Sequence, residues 1–305
     1  MKELKTILEP EFINQSLIKK FYHNGNEKEH CPQKELNAEF IETEPMTNGK
    51  YFETLLLGGS AKGDSVTDLR RKKLSKDQIR QNIINKNEGR PLILGEKRID
   101  QIRIEQQVEI AKMVAAKHQM SIFPGINTQI KVSKRWEKDD DIILRGEFDL
   151  FPTGIYSKKY NKYLMSLVDL KLTGDIDSTF GAYCYGVPKD LDPLQGLFYQ
   201  YLVYDLDYEL NPHLVDLFPK HLADKAREEL HFYLWIFDYK KQQLGNRFIP
   251  VVYDKLQEAY LFESIRRTLS LIEKYNDIGW NTNPSSDLCS KCSLKDTCSD
   301  YFFNI

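Results

Sequence analysis

Long apolar runs are missing from this chain: none approaches the roughly 18 to 20 residues that a bilayer-spanning helix needs. The opening residues Met1-Lys2-Glu3-Leu4-Lys5 also lack the apolar core of a secretory signal. Both absences point to a soluble, cytoplasmic protein with no membrane partner. An excess of one charge is missing too, since 43 Lys and Arg stand against 45 Asp and Glu for a formal net charge of -2. The bulk basicity of many nucleic-acid-binding domains is therefore excluded, although a neutral total leaves room for a local basic groove beside an acidic site. Cysteine is scarce, five in 305 residues, and Cys289, Cys292 and Cys298 crowd toward the C-terminus. That distribution does not make a secreted disulfide framework and favours a metal or cluster site. The histidines show no metal-binding spacing, and His30, beside Cys31, is the one to watch. There is no internal repeat. Nor is there a phosphate-cradling G-x-x-x-x-G-K-(S/T) loop, so the chain supplies no motor of that kind.

What is present is a globular composition, 41% hydrophobic and 12% aromatic, on a chain long enough to bury a full core. A capped helix is expected at 11–22, a loop through Cys31-Pro32, and a helix over 49–57 that stops at Gly58-Gly59. Residues 61–98 are rich in Lys and Arg and poor in large apolar side chains. They read as a basic insertion, either a solvated face or a phosphate-contacting arm. Ile99, Ile102, Val108, Ala111, Met113 and Val114 recur at near-helical intervals and predict an amphipathic helix over Ile99–Lys117. After Pro124-Gly125 the pattern turns to strands at 128–134, 142–151 and 164–172, the last two an antiparallel hairpin about a turn containing Gly154. A helix at 192–206, a strand at 231–239 and a helix at 251–275 follow. Tyr233, Trp235 and Phe237 read as strand core, with an aromatic platform for single-stranded nucleic acid as the alternative. The order of elements fits an α/β fold, a mixed central sheet flanked by helices.

Two short segments carry the chemistry. Gly146-Glu147-Phe148-Asp149 closes one apolar run, and Val168-Asp169-Leu170-Lys171 closes the next. Magnesium takes six oxygen ligands and keeps several as water, so two or three carboxylates suffice to hold it. Asp149 and Asp169 supply two, and the backbone carbonyl of Leu170 supplies a further oxygen. Two residues beyond Asp169, Lys171 projects from the same face of a strand. There it can orient an attacking water or neutralise charge developing on a phosphate. The plainer reading, in which both aspartates make turns and Lys171 is a surface partner, fits the Asp-x-Lys triplet equally well when it is taken alone.

The surrounding motifs decide between the two. The chain resembles the PD-(D/E)XK nuclease superfamily in its RecB-like branch, and four motifs follow in the family's order. The G-x-x-x-(H/E) of an N-terminal helix is matched by Gly49-Lys50-Tyr51-Phe52-Glu53, the metal aspartate by Asp149, the (D/E)-x-K by Asp169-Leu170-Lys171, and Q-x-x-x-Y by Gln195-Gly196-Leu197-Phe198-Tyr199. Glu53 stands where the family commonly has histidine, and its oxygen suits magnesium or manganese. Gln200 and Tyr204 also satisfy Q-x-x-x-Y, and Gln195 and Tyr199 are preferred because they begin the helix soon after the active strand. The resemblance implies a restriction-endonuclease-like core spanning 1–305 as one domain. Its implied ligands for Mg2+ or Mn2+ are Glu53, Asp149, Asp169 and the Leu170 carbonyl, with Lys171, Gln195 and Tyr199 completing the catalytic set.

Cys289-x2-Cys292-x5-Cys298 is a ligand spacing that still needs a fourth donor. Iron-sulfur nucleases of the same branch pair one N-terminal cysteine with such a triplet. The resemblance therefore implies a [4Fe-4S] cluster on Cys31, Cys289, Cys292 and Cys298, with 286–305 as the cluster-binding segment. By spacing alone a four-cysteine Zn2+ site is nearly as good, and Cys184 is the fallback ligand. The function implied is a metal-dependent DNA nuclease (phosphodiester hydrolase) in replication, recombination, repair or phage DNA processing. Exonuclease action on DNA ends is favoured because nothing resembles a base-reading module. A helicase or recombination protein is the implied partner. The alternative is a catalytically inactive nucleic-acid-binding or assembly subunit that retains the fold.

Overall fold

The computed structural model describes residues 7–23, 26–27, 31–37, 43–58, 74–88, 99–158, 160–179, 193–241 and 244–281. The N-terminal part holds α1 (Gln15–Phe21), a small ribbon of β1 (Tyr22–His23) and β2 (Asn26–Glu27), α2 (Pro32–Asn37), α3 (Glu44–Leu57), α4 (Lys76–Asn87) and α5 (Ile99–Lys117). Then come β3 (Thr128–Trp136), β4 (Asp139–Ser157), β5 (Lys162–Thr173), α6 (Ile176–Thr179) and α7 (Leu194–Val203). A short 3-10 turn (Pro212–Leu214), two single-turn helices (Lys220–Ala223 and Ala226–Glu229), β6 (His231–Asp238), β7 (Asn246–Val251) and α8 (Lys255–Ile278) complete the order.

One sheet with the order β3-β4-β5-β6-β7 forms the centre. β3, β4 and β5 are antiparallel neighbours, β6 runs parallel to β5, and β7 runs antiparallel to β6. The parallel step needs a long crossover, and α6 and α7 lie within it. Helices cover both faces. On one, Val132, Leu144, Phe148, Leu167, Phe232 and Ile249 pack with Leu197, Tyr201 and Leu202 of α7 and with Leu261 and Ile265 of α8. On the other, Leu150, Val168, Leu170, Trp235 and Phe237 pack with Phe52 and Leu57 of α3 and with Ile104, Val108 and Ala111 of α5. Burial on both faces is why β5 and β6 read as nearly continuous apolar runs. Phe148 and Trp235 are fully buried, and truncating a side chain of that kind costs about 3–5 kcal/mol. The fold is thus α/β, a mixed five-stranded sheet flanked by helices.

Several local expectations need correction. The first helix begins at Gln15, where the Asn14 side chain accepts from the Leu17 N–H. Pro32 opens a short helix, not a loop. α3 starts at Glu44, with proline in its first turn, and its C-cap is Gly58 at φ 71°. Gly154 lies inside β4, paired with Met165, so the turn falls after Ser157. The final helix starts at Lys255, and 246–251 is a strand. α5 spans the predicted residues, and its buried stripe keeps Val108 and Ala111 but not the other expected apolar residues. Ile99, Ile102 and Met113 are exposed, while Gln101, Ile104, Gln107, Val108 and Ala111 face inward. Gln101 donates to the Tyr51 hydroxyl, and Gln107 donates to the carbonyls of Asp238 and Gly245. Of the basic insertion, 74–88 is described and is largely the helix α4; its remainder to residue 98 lies outside the described residues, as do His30, Cys184 and 286–305. Among the described residues no helix is long and apolar enough to cross a membrane.

Candidate active site

The site forms where two paired strands part. β4 and β5 are partners from Ser157 and Lys162 up to Leu150 and Val168. Beyond that point β5 stays with β6 as far as Thr173, and β4 continues with β3 alone. The N-terminal segment takes up the edge of β4 that β5 has left: the Ile13 N–H donates to the Ile143 carbonyl and the Arg145 N–H to the Ile13 carbonyl, each at 2.8 Å. Diverging strands leave backbone donors unpaired, and a buried unpaired N–H is costly. Asp149 resolves this, because its Oδ2 accepts from the Leu170 N–H at 2.7 Å, across the fork. In an extended strand a residue's C=O leaves on the same edge as its N–H, so the Leu170 carbonyl faces the fork as well.

On the other arm Asp169 is 3% exposed. Its Oδ1 accepts from Gln195 Nε2 at 2.7 Å, and its Oδ2 is ion-paired with Lys171 Nζ. Gln195 Nε2 also lies 3.3 Å from the Tyr199 hydroxyl, which accepts from it. α7 reaches the strands this closely because of two glycines. A Cβ on Gly146 would sit 2.7 Å from Leu202 Cδ1 and 3.0 Å from Tyr199 Cε1, and one on Gly196 would sit 2.8 Å from Phe232 Cδ1. Gln200, the alternative glutamine, donates instead to the carbonyls of Gly196 and Val251, away from Asp169. Glu53 comes from α3, and its electrostatic partners are Lys171, Asp169, Lys50 and Glu147.

The electrostatics follow from crowding acids in a buried place. Burial pushes the Glu53 carboxyl up to about 7, Lys171 pulls it back in part, and Asp169 and Glu147 push it further. Asp149 is raised well above the ordinary carboxylate range by burial and then by Asp169 and Glu53. Burial alone would lower the Lys171 ammonium, but Asp169 and Asp149 outweigh it and hold it above its usual range. Burial, followed by Asp169, likewise raises the Tyr199 phenol. Besides burial, repulsion from neighbouring carboxylates raises Glu53 and Asp149, and Lys171 opposes both shifts without cancelling them.

In kind this donor set fits a hard divalent cation, which takes carboxylate and carbonyl oxygens and would relieve that repulsion. In arrangement, no three His, Cys, Asp or Glu side chains are gathered as a metal-binding cluster among the described residues. Of the four cysteines in the expected cluster, Cys31 is half-buried at the start of α2 with a free thiol. Cys289, Cys292 and Cys298 lie outside the described residues.

The sequence reading gave no role to Glu147, although it stands two residues before Asp149 and acts on Glu53. It also passed over Lys131 and Arg145, which flank Glu147: Lys131 faces it across the ladder and Arg145 precedes it by two on β4. Polar residues at alternating positions of a strand were the available signal.

No protein-family model and no curated protein matches the chain. Among solved structures it is similar to a Eubacterium rectale protein described as a "putative exonuclease", at 15% identity and a TM-score of 0.49, over 97% of this chain and 88% of that one. It is also similar to a protein designated SSO0001, at 12% identity and a TM-score of 0.29, over 83% of this chain and 94% of that one. Likenesses this distant add nothing to the chemistry of the site.

Proposed function

We propose that the chain is a metal-dependent deoxyribonuclease of the PD-(D/E)XK, RecB-like kind, acting as an exonuclease. One observation carries the reading: the strand fork brings Asp149 against the Asp169-x-Lys171 strand, while Gln195 from the adjoining helix donates to Asp169 and to the Tyr199 hydroxyl. Glu53, Asp149, Asp169 and the Leu170 carbonyl would hold Mg2+ or Mn2+. When bound, such an ion lowers the pKa of water and polarises a phosphate oxygen. Lys171, kept protonated by its neighbours, donates hydrogen bonds to the attacking water or to the phosphate oxygen that gains charge. Gln195 fixes the orientation of the Asp169 carboxylate, and Tyr199 braces Gln195.

The test is incubation of the purified protein with linear and circular, single- and double-stranded DNA, in Mg2+, Mn2+ or EDTA. Degradation of linear DNA that needs the metal is the expected result, with loss of cleavage but not of binding in Lys171→Ala. No metal-dependent degradation of any substrate would refute the reading. A second reading draws on a different observation, the lack of a gathered metal cluster among the described residues. In it the chain is a catalytically inactive nucleic-acid-binding or assembly subunit beside a helicase or recombination protein, and Lys171→Ala leaves its function intact.

We further propose that Cys31, Cys289, Cys292 and Cys298 hold a [4Fe-4S] cluster, with Zn2+ the alternative. A brown anaerobic preparation is expected. A colourless one containing zinc would remove the cluster.

A further inference from the structure

We infer that a cleft running from the active site along β3 and β4 binds the backbone of a single nucleic-acid strand, with Lys131 and Arg145 as its phosphate contacts. The cleft has a volume of about 480 Å³ and is lined by Phe12, Lys131, Ser133, Arg145, Glu147 and Tyr199, among others. Two of these tie it to the catalytic cluster. Glu147 acts electrostatically on Glu53, and Tyr199 hydrogen-bonds to the glutamine that holds Asp169. A strand lying in the cleft therefore leads directly to the fork.

Its cations are placed for an anion from outside the chain. Arg145 is held in position, its guanidinium 4.3 Å from the centre of the Phe12 ring and its Nε donating to Ser133 Oγ at 3.2 Å. Lys131 is exposed and lies opposite Glu147 in the ladder. Neither cation has a carboxylate within ion-pair distance among the described residues. His213 Nε2, from the 3-10 turn Pro212–Leu214, is 2.9 Å from the Lys131 carbonyl and ties that turn to β3. Gln15 also lines the cleft, and its buried amide oxygen has no partner among the described residues.

The volume falls in the range of about 300–1,000 Å³ typical of small-ligand sites. A cavity of this size takes a nucleotide-sized group, which suits a single strand better than a duplex. Arg and Lys on phosphates supply affinity without reading sequence, which suits an enzyme that works along a strand whatever its bases. The inference rests on the nuclease reading for the position of the scissile bond, but binding tests it separately.

The experiment uses the full chain in EDTA, with fluorescence anisotropy of a short labelled single-stranded oligodeoxynucleotide and of the matching blunt duplex. Lys131→Gln and Arg145→Gln are each expected to weaken single-strand binding roughly threefold to tenfold. Each should also flatten the dependence of log K on log salt by about 0.7. Duplex binding should change little. Lys131 is exposed, so its variant is expected to keep the wild-type melting temperature and to separate a binding effect from misfolding. Unchanged affinity and salt slope in both variants would overturn the inference, as would an equal loss for duplex and single strand. A wild-type protein that binds the single strand through these residues yet cleaves nothing in Mg2+ or Mn2+ would leave the inference standing and refute the nuclease reading alone.

Discussion

Replacing Glu53 by glutamine should stabilise the metal-free protein at pH 8 and remove much of its sensitivity to pH. Burial holds the Glu53 carboxyl near 7 against an ordinary 4.5. Between those values the folded state binds a proton that the unfolded state has released. Stability is therefore full below about pH 4.5 and falls as pH rises through 7. At about 1.4 kcal/mol per pH unit the loss is on the order of 3 kcal/mol. Asp149 is shifted in the same direction and titrates together with Glu53, so the wild-type slope belongs to the pair. For a chain of this size 1 kcal/mol moves the melting temperature by about 2–4 °C, so wild type in EDTA should melt roughly 6–12 °C lower at pH 8 than at pH 5. In Glu53→Gln the side chain keeps its shape and carries no charge, and the variant should lose at least half of that difference. Scanning calorimetry of both proteins in EDTA across this range is the assay. Mg2+ at pH 8 should then raise the wild-type melting temperature more than that of the variant, because it binds a folded site that the substitution weakens. Parallel pH dependences in the two proteins would refute the reasoning, since they would show that Glu53 ionises without cost.

Asp149→Asn should fold and melt at least as high as wild type at pH 8, because the amide oxygen can still accept from the Leu170 N–H. Asp149→Ala strands that donor and should cost about 1–3 kcal/mol in urea unfolding. Equal stability of the two would sink the structural role given to Asp149. Gln195→Leu is expected to lower metal-dependent cleavage about 10- to 100-fold with DNA binding unchanged, the range seen when a residue orienting a ligand is lost; wild-type turnover would show that Asp169 needs no such support. Lys134 is buried and lowered to about 8 by burial, with its ammonium 4.6 Å from the Tyr201 ring centre and donating to the Tyr204 carbonyl. The unfolded chain binds the extra proton between pH 8 and 10.5, so stability should rise with pH across that window. Lys134→Met should abolish the rise and add about 1–3 kcal/mol at pH 7, whereas a destabilised variant would show that the buried ammonium is well compensated.

Much of the sheet was legible because its strands announce themselves by burial. β5 and β6 are apolar runs bounded by polar turns, and β3 alternates. β7 was missed for a physical reason: Asn246, Arg247 and Pro250 interrupt it, and proline is tolerated there because the strand lies at the sheet edge, with a partner on one side only. α5 shows the converse. A periodicity argument follows apolar residues, yet this helix buries Gln101 and Gln107 as hydrogen-bond donors and leaves three large apolar residues in solvent. Motif order singled out the candidate site residues, but not the way they meet. The bond between Asp149 and Leu170 joins residues 21 apart, and it exists only because β4 and β5 stop pairing at Leu150. Nothing local in either segment signals a fork.

The fork sets fold and chemistry against each other at the same atoms. Parting β4 from β5 frees a backbone donor in the interior, and an acceptor must be supplied. A carboxylate does this, but it brings a charge into a space already shared with Asp169 and Glu53. Lys171 is paired with Asp169, and burial, together with repulsion among the carboxylates, still raises Glu53 and Asp149. Sites that store such repulsion are where function is expected, because selection retains a destabilising arrangement only when something else depends on it. Here the stored repulsion has a definite sign. It is relieved by a cation and worsened by an anion, so under the proposed function a phosphodiester would have to arrive with positive charge already in place. Lys171 supplies part of that charge, a divalent ion on the carboxylates would supply more, and Lys131 and Arg145 extend it along the path by which a strand would enter.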